Sequence, residues 1–448
     1  MAIGLSRRSF LAAASAAGVG LSFRGPTALA APAEAVKPAA VGGAPARTGK
    51  APSWPISDEK DEKALLDVLH SGKWFRGDGQ CVSAFEEAYA AHMGAKHCVA
   101  TSSGTASLML AMSAMGVQAG DEVLLPPYTF VACVNAILAL NALPVFIDTD
   151  RNTFMMDPAK IEAAITDRTT AIMPVHLGGN VVNIDAVLDV ARKHKLQVVE
   201  DCCQAHGSQW KGKSVGTHAA TGAFSFQVSK VLAAGEGGAV LTNDEALADA
   251  CYALHNNSRE RKVHSFNFSY VRRGVNFRMT EFQGALLMAQ LKRFEEQAAR
   301  RTDNAEYLTK QLAEIPGIVP LGKYDGCTRN AYYLYMFRID SEKFEGLTRA
   351  AFCKALGAEG VRTSTGYTPL NKFPFIREAL DARGFQRLFS KERIALWEQR
   401  NECPSNDRLC TEALWMMQNI FLGTHSDMDQ IAEGVRKVRK NAGQLAKA

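Results

Sequence analysis

Four short stretches hold residues whose types and spacing suit chemistry. In TSSGTAS (101–107), Gly104 and Thr105 open a helical pattern directly after a strand-like run. Backbone N–H groups at such a start, with nearby hydroxyls, suit an anion such as phosphate. The same small polar residues also serve as plain helix caps. In PPYTF, Tyr128 offers a ring that covers a planar ligand or fills core. In VVEDCCQAHG, Asp201 ends a very apolar strand, where a carboxylate is costly without a partner. A protonated ring nitrogen would serve, and so would a helix cap or a salt bridge. In FSFQVSKVLAAGEGGAV, Lys230 lies five residues beyond Ser225 and just before a glycine-rich turn. There it either pairs with an anion or condenses with a carbonyl.

The conjunction is more specific than any member. Pyridoxal 5′-phosphate needs an anchor for its phosphate, a face contact, a carboxylate at its ring nitrogen and a lysine. Nucleotide readings fare worse: GEGG lacks the GK[ST] of a phosphate loop, and no GxGxxG follows a strand. The ten cysteines include no CxxC pair, so no zinc ribbon is expected and no metal is assigned.

All four stretches must be held by one scaffold. Strand-like runs at 97–102, 122–127, 144–150, 170–175, 197–202, 222–227 and 238–243 alternate with helix-period segments. That alternation predicts an α/β domain over 53–300, with a large, mostly parallel sheet whose strand ends carry the ligand loops. From about 290 a long polar helix follows. Then come a strand at 332–340, a helix at 346–360, an irregular stretch, and a final helix at 426–440 capped by Ser426. These read as a smaller α+β domain over 301–448.

Charge marks off the beginning of the chain. Arg7, Arg8, Arg24, Lys37, Arg47 and Lys50 face Glu34 alone, so the whole formal excess of +5 lies in the first fifty residues. The remainder is neutral, which argues against a nucleic-acid surface. Residues 1–30 run from a charged start through an alanine-rich apolar stretch to Ala28-Leu29-Ala30, the layout of an export signal. SRRSFL (6–11) resembles the twin-arginine signal. The expectation is therefore an exported protein, folded in the cytoplasm, translocated by the twin-arginine machinery and extracytoplasmic thereafter. Residues 31–52 read as a flexible linker.

The motifs SSGTAS, PPYTFVA, PVFIDTD, PVHLGG, VVEDCCQAHGS, FSFQVSKVLAAGEGGAVLTND and GVNFRMTEFQGALLMAQL occur in that order. Together they resemble the DegT/DnrJ/StrS aminotransferases, with closest likeness to the inositol aminotransferase and aminohydroxybenzoate synthase branches. The resemblance implies a fold-type I pyridoxal-phosphate enzyme that moves an amino group from glutamine or glutamate to a keto-sugar or keto-cyclitol. It implies Lys230 as the Schiff-base lysine, Asp201 at the pyridine nitrogen and Gln204 near the phenolic oxygen. It implies Gly104, Thr105 and Ser225 at the phosphate and Tyr128 stacked on the ring. Asn276 would reach the neighbouring subunit's cofactor in a homodimer with shared active sites, and His176 and Arg278 would lie near substrate. The alternative is a non-catalytic cofactor-binding or regulatory protein on the same fold. One departure stands out: Gly366 of TGYTPLN occupies the place of a histidine that many relatives carry.

Overall fold

Seven strands make the main sheet: β1 (His97–Thr101), β2 (Glu122–Leu125), β3 (Leu143–Phe146), β4 (Thr169–Ile172), β5 (Gln197–Asp201), β8 (Thr221–Ser225) and β9 (Gly238–Thr242). Their order is β1-β9-β8-β5-β4-β2-β3. The pairs from β8 to β3 are parallel, and β9 runs antiparallel to both its neighbours. Every residue of β2, β3, β8 and β9 is buried. Continuous apolar strands of this kind need helices on both faces. The helix Gly104–Ala114 is apolar all round and buried along most of its length, packed against β8 and β9. The computed structural model describes residues 37–261 and 270–447. The expected leader (1–30) lies outside the described residues.

Two short strands, β6 (Gln209–Trp210) and β7 (Lys213–Ser214), pair with each other, and β6 also pairs with β11 (Cys327–Arg329). A third sheet, antiparallel throughout, has the order β10-β12-β13 (Ile318–Pro320, Leu334–Ile339, Ala413–Met417). It packs with the helices Phe294–Ala313 and His425–Lys440 around a second apolar cluster containing Phe337, Phe352, Leu414 and Val435.

Three details of the C-terminal half differ from expectation. The long polar helix expected from about 290 starts only at Phe294 (Phe294–Ala313), because residues 289–291 close a separate helix, Glu281–Leu291. Between them Arg293 turns to pair with Asp58 and Asp61. The final helix is capped by Thr424, not Ser426. Thr424 and Asp427 exchange hydrogen bonds in a capping box, and Asp427 also pairs with Arg47. The irregular stretch holds four further helices, Pro374–Asp381, Arg383–Leu388, Lys391–Arg400 and Pro404–Glu412. They reach back to the main sheet: Arg393 pairs with Glu122, and Trp397 Nε1–H donates to Pro144 O.

Residues 37–52 are not a free tether. The N–H groups of Ala39 and Ala46 each donate to the Glu359 carboxylate at 2.8 Å. Lys437 Nζ donates to Glu359 Oε2 and to Ala44 O, both at 2.6 Å. Arg47 meets Asp427 at 3.1 Å, and Asn419 donates to Pro52 O. Glu359 is fully buried, so its charge needs these donors, and the segment supplies two of them. Substituting Glu359 by Gln strands the Lys437 charge, and loss of about 3–5 kcal/mol is expected. Thermal denaturation of the variant checks this.

Candidate active site

A cavity of about 460 Å³ opens where β1, β5 and β8 end. At one side the helix Gly104–Ala114 begins. Ser103 caps it by accepting from Ala106 N–H, which leaves the Gly104 and Thr105 N–H groups at the cavity wall. A Cβ on Gly104 would lie 2.5 Å from Ser225 Cβ, so only glycine lets the helix start meet the end of β8. Ser225 lines the same corner. Backing it is His206, buried and neutral, its pKa pushed down to about 3 by desolvation. Ser225 O can only accept, so His206 Nε2 carries the proton and Nδ1 accepts from Tyr89.

Asp201 closes β5 and is 4% exposed. Its Oδ1 accepts from Cys203 N–H at 3.0 Å and its Oδ2 from the Cys133 thiol at 2.9 Å. Gln204 Oε1 accepts from Gly178 N–H and Nε2 donates to Tyr367 Oη, so the amide is fixed at both ends. Lys230 sits in the loop 226–237, which folds back on itself through Val228 N–H to Gly235 O and Ala234 N–H to Phe226 O. Its ammonium nitrogen lies 4.3 Å from the centre of the Tyr333 ring. Gly104, Thr105, Asp201, Gln204, Ser225 and Lys230 therefore line one cavity, as the sequence predicts.

Four predicted residues lie elsewhere. Tyr128 is fully buried and stands edge-on to Phe154 and Tyr367, with no face to the cavity. Phe130, two residues on and 53% exposed, supplies the cavity's accessible ring instead. The bend after β2 turns Tyr128 inward onto that aromatic cluster. His176 is also fully buried. Its Nε2 meets Glu200 at 3.0 Å and its Nδ1 accepts from Val182 N–H, so it braces the strand and cannot meet substrate. Glu200 takes three further bonds, from the N–H groups of Gly216, His218 and Ala219. With Cys202, these two residues place potential metal-binding atoms within 4.8 Å of one another, but these hydrogen bonds already account for the His176 and Glu200 atoms. Asn276 and Arg278 fall outside this chain's own cavity. The Asn276 side chain accepts from Arg278 N–H, and the Arg278 guanidinium binds Asn256 and lies over Phe75.

The sequence profile of the DegT/DnrJ/EryC1/StrS aminotransferases matches residues 55–396. The chain belongs to that family. A Streptoalloteichus tenebrarius protein described as a putative L-glutamine:3-amino-2,3-dideoxy-scyllo-inosose aminotransferase is 38% identical over 410 residues, covering 90% of this chain and 98% of its own length. The L-glutamine:scyllo-inosose aminotransferase of Streptomyces griseus is 37% identical over 88% of this chain and 96% of its own. Among solved structures, 3-amino-5-hydroxybenzoic acid synthase superposes with a TM-score of 0.79 at 31% identity, covering 90% of this chain and all of that one. NtdA of Bacillus subtilis, solved with bound PMP cofactor, gives 0.72 at 26% identity over 85% and 82%. The fold is the fold-type I aminotransferase fold.

This aminotransferase also builds its site from residues that sequence reading missed. Tyr333 and Tyr367 come from the C-terminal half, and Tyr333 Oη bonds Ser229 Oγ beside Lys230. Gln227, Cys133, Cys203 and Glu236 also line the cavity. Neither tyrosine falls in a strand-end loop of the main sheet, although Tyr367 adjoins Gly366 in TGYTPLN. Gly366 itself has φ +76°, and a Cβ there would lie 2.6 Å from Tyr128 Oη. Gly366 is thus a left-handed glycine against which Tyr128 packs.

Proposed function

We propose that this aminotransferase uses pyridoxal 5′-phosphate to move an amino group from L-glutamine to a keto-cyclitol. The observation that carries the cofactor reading is the single cavity shared by the Gly104 helix start, Ser225, Asp201 and Lys230. The Gly104 helix start, brought against Ser225 because Gly104 has no side chain, suits a phosphate, and the Asp201 carboxylate suits a protonated ring nitrogen. Bound there, the cofactor supplies an electron sink for the carbon that loses its proton. The chain's own residues do the rest. Gly104 and Thr105 N–H groups and the Ser225 hydroxyl bind the phosphate. Phe130 excludes water from a ring face. Gln204 holds an amide beside the ring, and the Lys230 amine accepts and returns the proton.

The substrate reading rests on relatives named as L-glutamine:inosose aminotransferases, matched along nearly their whole length. The cavity suits a compact polyol, because among the described residues of this chain Lys230 is the one cationic side chain lining it. With glutamine as donor, amination of scyllo-inosose or its deoxy and amino derivatives is expected in an acceptor panel. Turnover of nucleotide keto-sugars alone would overturn the acceptor assignment.

The active form is a homodimer with shared sites. On this reading Asn276 and Arg278, which lie outside their own cavity, serve the site of a second copy. Export by the twin-arginine machinery follows from SRRSFL and the Ala28-Leu29-Ala30 site. Replacing Arg7 and Arg8 by lysine should hold the protein in the cytoplasm. Equal fractionation of parent and variant would discard that route.

A further inference from the structure

Asp201 has its main chain fixed on both sides. Its N–H donates to Pro174 O at 2.9 Å, and its carbonyl accepts from His176 N–H at 3.0 Å. The backbone does not fix the rotation of the carboxylate. Two donors do, one for each oxygen. Cys203 N–H holds Oδ1, and the Cys133 thiol holds Oδ2.

Cys133 lies in the first turn of the helix Ala132–Ala139 and is fully buried. One turn earlier, Thr129 Oγ1 shares a hydrogen bond with Cys133 Sγ at 3.2 Å. A chain Thr129–Cys133–Asp201 thus runs from the loop after β2 to the end of β5. In the sheet β4 stands between those two strands, so no backbone ladder couples them directly. We infer that Cys133 is a positioning residue for Asp201, its thiol holding Oδ2 so that the carboxylate faces the cofactor cavity.

The chemistry agrees. Burial and the adjacent carboxylate push the Cys133 thiol well up, so it stays protonated and remains a donor. A thiol is a weak donor, and it fixes the carboxylate without neutralising the charge that a ring N–H requires. A side chain that served only to fill space would have no need of a polar atom here. The Sγ has two polar partners at 1% exposure.

The inference rests on the cofactor reading above, and the experiment separates the two. Apoenzyme of the parent and of Cys133→Ala, Cys133→Val and Cys133→Ser is titrated with pyridoxal 5′-phosphate. The dissociation constant and the position of the bound cofactor's visible band are recorded. Thermal melting of each apoenzyme reports folding, and the valine variant keeps the volume if alanine loosens the core. Alanine and valine should weaken cofactor binding about tenfold, the worth of one hydrogen bond to a charged group, and shift the band. Serine should restore both. Parent-like binding by the alanine and valine variants would overturn the role of Cys133 alone. So would a serine variant as weak as alanine, since the donor would then be irrelevant. A parent that takes up no cofactor would sink the cofactor reading and this one with it.

Discussion

Replacing Lys230 by alanine is expected to reduce transamination by roughly 10³-fold or more, the scale of a lost positioned acid–base group together with a lost nucleophile. The geometry argues that no neighbour can substitute. Among the described residues of this chain Lys230 is the one basic side chain lining the cavity, and His206, behind Ser225, is buried, neutral and committed at both nitrogens. The loop that carries Lys230 is fixed by main-chain bonds and does not depend on the amine, so the variant should fold. Borohydride reduction followed by mass spectrometry should attach the cofactor to the parent chain and not to the variant. Initial rates with glutamine give the second readout. A variant that retained full turnover would show that Lys230 is not the group that moves the proton.

The parts of this molecule legible in its sequence are those governed by local rules. The strands of the main sheet appear as short apolar runs because they are buried on both faces. The strand positions in turn mark the loops at their carboxyl ends, which carry Asp201, Ser225, Lys230 and Gly104. Tyr128 misled because an aromatic in a strand-end loop can turn either way. The deciding neighbours, Phe154 and Tyr367, are distant in sequence. Tyr333 and Tyr367 were invisible for the same reason, since only tertiary packing brings the β12 region and the Gly366 turn onto the cavity. The helices between 374 and 412 are short and broken, too brief for a periodicity to declare itself. Residues 39–47 have the composition of a linker, yet two of their N–H groups, those of Ala39 and Ala46, satisfy a buried carboxylate 320 and 313 residues away, which composition cannot reveal.

Changing Asp201 to asparagine is the second large effect expected, a loss of kcat of about 10²–10³-fold, as for removal of a preorganised electrostatic partner. The substitution keeps size and shape, so the end of β5 should be undisturbed. What changes is the match to its surroundings. Both carboxylate oxygens accept hydrogen bonds, from Cys203 N–H and from the Cys133 thiol. An amide has one oxygen, so one of those donors must face an NH2 group. Either orientation leaves a neutral side chain where a bound pyridoxal phosphate would need a negative one beside its ring nitrogen, and the ring would then be a weaker electron sink. The burden falls on the step that moves a proton, so kcat should drop far more than KM for glutamine rises. A glutamate substitution keeps the charge but adds a methylene at a buried position between two strand ends, and should recover only part of the rate. Steady-state kinetics on the three proteins, with thermal melting as the folding control, separates charge from shape. Equal kcat in parent and asparagine variant would mean that the negative charge at this strand end takes no part in the reaction.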